Sequence, residues 1–497
     1  MSKILTPSHK TFLGILLLLF VNLFNIQSVR GVFAKTDDYV FLGLMKTNAF
    51  DIHQGFQYFS SQEWTAGRWT TNFLLPIIFD RDFLIQDLSY FRIFFTLTLL
   101  FISIFNFFTI QKITKSITIS LISSLLLVSI PGFQSFTTLL ASGPYLLAIS
   151  IALVVSRFLI EIEKLSLRVT LQLLILSVFL TTIYQPVVYL ILAYPSFILA
   201  KERFSLNSSY RLLHSFLIAN AALFTNWILI QFFSSNTRAK PSLSLHSKIE
   251  ALYLNIWNLV TVPWLWVVKS TSMERQIFSV ALLSFSIFCV VLLMRHSRRD
   301  GYEPIQYFAI IYIALAGIPF TFPWFFVVNE NATDVRRYSF ASAITVLIYL
   351  SITFYTVERY LKQAKNVFSA TLMIFLVLTI SVASVRVTDR TTNILMKEWE
   401  AFSCASESVA INGDTKIRLN ELLAHLQGER RVSEDVLTAS IAFPNPPTFM
   451  IWISQLETGR PISFAPWNIN FVNDLEYSEI DSPGLEWERA FFRCTNW

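Results

Sequence analysis

Long apolar runs recur along this chain of 497 residues, and they constrain its fold more than any other feature. A helix needs about 20 apolar residues to cross the core of a bilayer, and the first run, over residues 11–29, is of that length. Hydrophobic residues make up 54% of the chain and charged residues only 14%, whereas a soluble protein has about 25% charged residues. The sequence therefore predicts an all-α polytopic membrane protein.

Basic residues cluster at alternate ends of these runs, which orients the chain. Lys112 and Lys115 follow the second run (90–110), and the densest basic cluster, 295–299, follows the eighth. Because cytoplasmic loops are enriched in Lys and Arg, we predict a cytoplasmic N-terminus, about 11 transmembrane helices and a C-terminus on the outer side. The first run also has the features of a cleaved signal peptide, but the spans that follow it favour an uncleaved helix.

The predicted organisation is a transmembrane domain, 1–385, followed by a polar tail, 386–497. Two large outer loops interrupt the first part, at 34–89 and 234–276. The tail holds 16 acidic and 10 basic residues, and it is long enough to form a small α/β or mixed domain on the outer side. Leucines at helical spacing predict an amphipathic helix over 416–427. Cys404 and Cys494 both lie in the tail, and they either form a disulfide, if the tail is outside the cytoplasm, or remain free thiols.

Two adjacent acids, Asp37 and Asp38, lie where the chain leaves the first span. A carboxylate is costly to hold in low dielectric, so acids beside a membrane are functional candidates. One of the two would serve as a general base that takes the proton from an acceptor hydroxyl. The alternative is a solvated helix end in which both acids face water.

Two clusters of basic and aromatic residues could bind a phosphate. In the first outer loop, Glu63 precedes Gly67-Arg68-Trp69; further along, a polar loop ends in Arg336-Arg337-Tyr338. A guanidinium binds phosphate oxygens through paired N–H groups, and an adjacent aromatic ring can stack on a sugar. The alternative is a membrane-interface anchor or a contact to a lipid headgroup. His53 is a further candidate, of lower rank.

Several kinds of chemistry lack their motifs in this sequence. It has no phosphate-binding loop of the Walker type, no dinucleotide fingerprint and no zinc spacing of His and Cys. No basic patch with interleaved aromatic residues indicates nucleic-acid binding. We therefore expect no cofactor and no metal, and a donor that is carried by a lipid instead of a nucleotide.

The order of these features resembles the GT-C class of membrane glycosyltransferases. Asp37-Asp38 just after the first span, then Gly67-Arg68-Trp69 before the second, is most similar to the serotype-converting O-antigen glucosyltransferases of bacteria (the glucosyl transferase type II group). The resemblance implies a multi-pass protein of the bacterial inner membrane with a periplasmic C-terminus. It also implies transfer of glucose from undecaprenyl-phosphate glucose to O-antigen units.

Carried onto this sequence, the resemblance makes Asp37 or Asp38 the base and gives the donor phosphate to Arg68 with Arg336 or Arg337. Some enzymes of the class need a divalent metal, which we do not expect here. The implied functional partners are a polyprenyl-phosphate glucosyltransferase and a flippase. Two other functions remain open, a transporter or flippase of lipid-linked sugars and an O-antigen polymerase.

Overall fold

A computed structural model describes most of the first 233 residues and parts of the tail. The described ranges are 7–29, 31, 36–48, 50–61, 67–79, 83–129, 143–162, 166–202, 205–233, 393–411, 416–418, 445–457, 470–472 and 482–494, with the single positions 348, 351, 352, 354, 355, 358 and 371. The predicted loop 234–276, Glu63 and the group Arg336, Arg337 and Tyr338 lie outside the described residues.

The described part of the first 233 residues is helical wherever it forms regular structure. The helices are α1 (Pro7–Val29), α2 (Thr36–Asn48), α3 (Ile52–Ser61), α4 (Trp69–Ile78), α5 (Asp87–Thr114), α6 (Ile117–Ser129), α7 (Pro144–Glu161), α8 (Leu167–Ile183), a 3₁₀ segment (Gln185–Leu192), α9 (Ala193–Lys201) and α10 (Leu206–Phe233). Among the described residues, α5, α7 and α10 are the three helices long and apolar enough to cross a membrane. The apolar stretches of α1, α4, α6 and α8, and that of the 3₁₀ segment with α9, are shorter.

Where the structure describes them, the expected apolar runs lie in helices with similar bounds, and the first outer loop contains helices that were not predicted. The run expected at 90–110 is helix Asp87–Thr114, and the expected interruption at residues 184–186 falls between α8 and the 3₁₀ segment. Pro186 has no N–H to continue a helix, which accounts for that break. The loop 34–89, in contrast, contains three helices, α2, α3 and α4.

The helices pack as a bundle with two distinct ends. Helices α5 and α6 form a hairpin against α1, and α8, α10 and the 3₁₀ segment surround α7. At one end, here called the basic end, Glu161 lies 3.0 Å from Lys112 Nζ and 3.2 Å from Arg157 Nε. Arg211 Nη1 donates to the Ile160 carbonyl there at 2.9 Å. The start of α7 and the end of α8 therefore lie at the other end, here called the distal end.

Several polar side chains inside the bundle form hydrogen bonds with one another. Tyr194 Oη donates to Asn106 Oδ1 at 3.1 Å, and the Tyr194 N–H donates to Ser156 Oγ at 3.0 Å. Asn106 Nδ2 in turn points at Ser123 and Ser124, at 3.4 Å from each hydroxyl oxygen. Such contacts between small polar residues allow helices to approach closely where no water is present.

The described part of the tail contains three helices and two short strands. Helices α11 (Asn393–Ser408) and α13 (Ser482–Cys494) pack around Phe402, Trp487 and Phe491, and Cys404 and Cys494 form a disulfide. Helix α12 (Asn445–Glu457) packs against α11. Strands β1 (Lys416–Arg418) and β2 (Asn470–Val472) pair in parallel.

The helix predicted over 416–427 is wrong at its start. Its first three residues form β1, because the central, β-branched Ile417 pairs with Phe471 and the backbone hydrogen bonds of a strand replace those of a helix turn. The leucine periodicity that favoured a helix lies in 419–427, outside the described residues.

The tail is docked on the segment that follows α1. Helix α12 packs against α2, and the Trp399 ring of α11 stacks on Tyr39 of α2 with centroids 5.9 Å apart. Glu457, the last residue of α12, accepts the Ile85 N–H at 2.8 Å. Burial raises the pKa of the Glu457 carboxyl, and the hydrogen bond from Ile85 and the charge of Lys46 oppose that rise only in part. The tail therefore supports the helix that carries the two adjacent acids.

Candidate functional site

The two adjacent acids lie in the first turn of α2, which is packed on several sides. Phe41 of this helix contacts Phe59 of α3 and Phe79 after α4, with ring centroids 4.9 and 5.5 Å apart. The backbone of Asp37 belongs to the helix, and the position of its side chain lies outside what the structure describes. Helix α2 is thus packed between the tail on one side and α3 and the end of α4 on the other.

Asp38 is completely buried, with 0% of its surface exposed. The solvated helix end considered as an alternative is therefore wrong for this residue. Arg92 of α5 is buried to the same extent, and its guanidinium interacts electrostatically with the Asp38 carboxylate. Arg92 Nη1 also donates to the Gly31 carbonyl at 3.3 Å, just after α1. Removing one member of a buried charge pair costs about 3–5 kcal/mol, so this arrangement links α1, α2 and α5.

A second polar cluster is built around Arg68, which precedes the first residue of α4. Gly67 has a φ of +72°, a conformation that side chains other than glycine adopt at a cost. Asn226 of α10 is buried and donates from Nδ2 to the Gly67 carbonyl at 3.2 Å. The hydrogen bond from Asn226 therefore fixes the turn before α4, and this turn sets the direction in which the Arg68 side chain leaves the backbone.

The start of α4 is also attached to the end of α8. Thr70 and Thr182 share a hydrogen bond between their hydroxyls at 2.8 Å, and Thr71 Oγ1 donates to the Ile183 carbonyl at 2.8 Å. These two contacts place Arg68 beside Tyr184 and Gln185, the residues that follow α8. The geometry of the cluster is thus set by two helix ends that meet at the distal end of the bundle.

The Arg68 guanidinium lies against a stacked pair of tyrosines. The rings of Tyr145 and Tyr184 are 4.1 Å apart and inclined by 9°, and Arg68 Cζ lies 5.0 Å from the Tyr184 centroid and 5.7 Å from the Tyr145 centroid. Arg68 Nη1 donates to Tyr145 Oη at 2.9 Å, and Nε donates to Gln185 Oε1 at 3.4 Å. A cation within about 6 Å of an aromatic centroid is attracted by the ring.

Arg68 is half-buried, and its charge is not neutralised by the residues around it. Its hydrogen-bonding partners are a phenol and an amide, and no described carboxylate forms an ion pair with it. A guanidinium has five N–H groups, of which the two hydrogen bonds above use two, leaving three, both on Nη2 among them, for an additional acceptor. The arrangement is suited to an anion, since a guanidinium pairs with carboxylate or phosphate oxygens in a bidentate manner.

The predicted site residues have different partners. Asp38 interacts electrostatically with Arg92, whereas the partners of Arg68 are Tyr145, Tyr184 and Gln185. Trp69 begins α4 directly beside Arg68 and is half-buried. His53 is exposed on α3, where its ring lies 2.9 Å from the Gln57 amide nitrogen. Within the part of the chain that the structure describes, no cluster of three His, Cys, Asp or Glu residues could hold a metal ion.

Sequence reasoning missed Tyr145, Tyr184 and Gln185 as members of the Arg68 cluster. A signal for them exists, because they lie within two residues of prolines that mark helix ends, Pro144 before Tyr145 and Pro186 after Tyr184 and Gln185. It also missed Arg92, the partner of Asp38. That residue is a single charge near the start of a long apolar run, and such a charge must be paired inside the protein.

Comparison with known proteins gives matches among solved structures only. No family model matches the chain, and no curated protein sequence matches it. The chain is similar to the oligosaccharyltransferase of Archaeoglobus fulgidus, solved in complex with zinc and sulfate, at 12% identity over 96% of this chain and 67% of that chain, with a TM-score of 0.42. A likeness of this size establishes neither a shared fold nor a shared activity.

Proposed function

We propose that this protein is a membrane glycosyltransferase of the GT-C type. It moves a sugar, glucose, from a polyprenyl-phosphate donor to an O-antigen or other surface polysaccharide. The observation that carries this proposal is Arg68, a guanidinium without a carboxylate partner among the described residues, held on two tyrosine rings at the distal end of a membrane bundle. A phosphate supplies the missing negative charge, and an apolar bundle is the surroundings that a polyprenyl chain requires.

In this mechanism the carboxylate of Asp37 removes the proton from an acceptor hydroxyl, and the neighbouring Asp38, which is completely buried, orients the start of α2. The hydroxyl oxygen then forms a bond to the anomeric carbon of the donor sugar, and the bond between that carbon and the phosphate oxygen breaks. The electron pair goes to the phosphate, which leaves as polyprenyl phosphate, and Arg68 stabilises its charge. Trp69 stacks on a sugar ring, Glu63 accepts from sugar hydroxyls, and Arg336, Arg337 and Tyr338 contribute to donor binding. No nucleotide and no metal enters the reaction.

The basic end of the bundle is the cytoplasmic end in this account. Lys112, Arg157 and Arg211 lie together there, in agreement with the enrichment of basic residues in cytoplasmic loops. The Arg68 cluster, α2 and the tail then face the periplasm, an oxidising compartment in which a disulfide such as Cys404–Cys494 persists. Donor supply at that face requires a polyprenyl-phosphate glucosyltransferase and a flippase.

The experiment is a structural analysis of surface polysaccharide from cells with and without the gene, and from cells that carry Arg68→Ala. We expect one additional sugar branch that depends on the gene and is lost in Arg68→Ala at unchanged protein level. A change in chain length without a change in repeat composition would instead indicate a polymerase. Unchanged polysaccharide together with movement of the lipid-linked sugar across the membrane would indicate a transporter.

Substitution of the two acids tests their role in transfer. We expect Asp37→Asn and Asp38→Asn to abolish the sugar branch or reduce it strongly. Asp38→Asn should also lower stability, by about 3–5 kcal/mol, because it leaves the buried Arg92 charge without its carboxylate, so protein level and thermal unfolding are measured with it. Normal glycosylation by both single variants and by the double variant would overturn the assignment of the base.

A further inference from the structure

We infer that Tyr145, Tyr184 and Gln185 are positioning residues of a phosphate-binding site centred on Arg68. The inference rests on the proposed function in that it takes the phosphate to be that of the polyprenyl donor. It adds that phosphate binding depends on two properties of the Arg68 guanidinium: its orientation, and a positive charge that no neighbouring carboxylate among the described residues neutralises. None of the three residues needs to touch the reacting atoms, because each acts through Arg68.

The orientation of the guanidinium is over-determined by its neighbours. Tyr145 Oη accepts from Nη1, Gln185 Oε1 accepts from Nε, and the Tyr184 ring lies under the plane at 5.0 Å from Cζ. An arginine side chain otherwise has many rotamers, and an unoriented one would lose this conformational entropy on binding a phosphate. Here that loss has already occurred on folding, and the Nη2 group remains for the ligand.

Gln185 is chemically suited to this task because its amide is neutral. It accepts a hydrogen bond from Nε as a carboxylate would, but it does not cancel the charge of Arg68. A glutamate of the same length at position 185 would form an ion pair with the guanidinium and compete with the phosphate. The side chain itself is buried, so this contact is held in surroundings where a charge counts strongly.

The tyrosine pair supplies the shape of the site and part of its electrostatics. The Tyr184 ring, with its centroid 5.0 Å from Arg68 Cζ, attracts the cation, and Tyr145 stacks on Tyr184 with centroids 4.1 Å apart while its hydroxyl accepts from Arg68. The backbone supports the same polarity, since the first N–H groups of α4 directly after Arg68 have no acceptor within the helix. The Arg68 guanidinium and the first N–H groups of α4 therefore both favour binding of an anion.

The test measures binding separately from catalysis, with the purified full-length protein in lipid nanodiscs and undecaprenyl phosphate as the probe. Inorganic phosphate and phosphatidylglycerol vesicles are the comparison ligands, and they distinguish a polyprenyl phosphate site from a site for free phosphate or bulk lipid. The variants are Tyr145→Phe, Gln185→Glu and Tyr184→Leu, with Tyr184→Phe as the conservative rescue. Tyr189→Phe is the matched control, because it removes a phenol from the 3₁₀ segment without touching Arg68.

We expect undecaprenyl phosphate to bind about tenfold more weakly to Tyr145→Phe, the factor that one hydrogen bond to a charged group contributes. Gln185→Glu should lose still more affinity, Tyr184→Leu about five- to tenfold, and Tyr184→Phe and Tyr189→Phe should bind as the wild type. In transfer assays the KM for the donor should rise by the same factors and kcat should fall as well, because Arg68 also stabilises the departing phosphate, while the KM for the acceptor stays unchanged.

The outcomes separate this inference from the proposed function. If transfer occurs but Tyr145→Phe and Gln185→Glu bind undecaprenyl phosphate as tightly as Tyr189→Phe, the positioning role is wrong and the function stands. If the variants weaken binding as expected but no transfer is detected, the site stands and the proposed function fails. Equal losses for inorganic phosphate, or for phosphatidylglycerol, would assign the site to that ligand and overturn the donor as its occupant.

Discussion

Replacement of Gly67 by alanine tests whether the turn before α4 controls the direction of Arg68. An alanine at a φ of +72° costs about 1–2 kcal/mol in backbone conformation alone. Its Cβ would also lie 2.7 Å from Asn226 Oδ1 and would overlap the Ile230 side chain, and such overpacking costs about 1–3 kcal/mol. The two terms together amount to about 2–5 kcal/mol, enough to shift the turn and break the hydrogen bond from Asn226 to the Gly67 carbonyl.

We expect Gly67→Ala to lower the thermal unfolding temperature and to weaken binding of undecaprenyl phosphate at least tenfold, because Arg68 no longer meets Tyr145 and Gln185. Both quantities are measured on purified protein in nanodiscs. Gly14→Ala is the control: Gly14 lies within α1, where an added Cβ would meet only the Phe107 ring, at 3.3 Å. Ile230→Ala combined with Gly67→Ala should recover part of the loss. Wild-type binding and stability in Gly67→Ala would refute this reasoning.

Three further predictions concern the tail and its contact with α2. Reducing the disulfide, or replacing Cys404 by serine, should destabilise the tail by about 2–5 kcal/mol, since the bridge joins cysteines that are 90 residues apart. Thermal unfolding with and without reductant measures this loss. An unchanged unfolding transition would contradict the prediction. The pKa of Glu457 is raised in the folded protein, so the folded protein binds this proton more tightly than the unfolded chain does. The contribution of Glu457 to the free energy of unfolding therefore falls as the pH rises from the ordinary pKa of 4.5 through the higher folded pKa. Unfolding temperatures across that range should therefore decline more for the wild type than for Glu457→Gln, and parallel curves would count against it. Trp399→Ala should remove the contact of α11 with Tyr39 and lower the free energy of unfolding by about 3–5 kcal/mol, whereas Trp399→Phe should retain most of that stability. Chemical unfolding measures both variants. Equal losses in the two would refute the stacking contact.

The helical membrane bundle is the part of the fold that a sequence of this kind predicts best. Long apolar runs dictate helices because the bilayer leaves no other way to satisfy the backbone, and charges at their ends mark where they leave it. The three helices of the first outer loop were not predicted, because their stability comes from packing, such as that of Phe41 against Phe59 and Phe79, more than from their own periodicity. About 11 spans remain a prediction, since those after residue 233 lie largely outside the described residues.

The candidate site was predictable in its charged centre but not in its surroundings. Arg68 and Asp38 stand out because charges are scarce in this sequence, and each is placed in a defined polar cluster. Their partners are distant in the chain: Tyr145 is 77 residues from Arg68, and Gln185 is 117. Such long-range pairings follow from which helix ends meet, and helix ends are brought together by the topology of the bundle.

The measurement that tests the central claim most directly is sugar transfer by the purified protein in proteoliposomes, supplied with radiolabelled undecaprenyl-phosphate glucose and an O-antigen acceptor. We predict that label moves to the acceptor with stoichiometric release of undecaprenyl phosphate, without nucleotide, and that Arg68→Ala abolishes this at low donor concentration. Transfer that is absent in the wild type, or equally fast in Arg68→Ala at every donor concentration, would contradict the account.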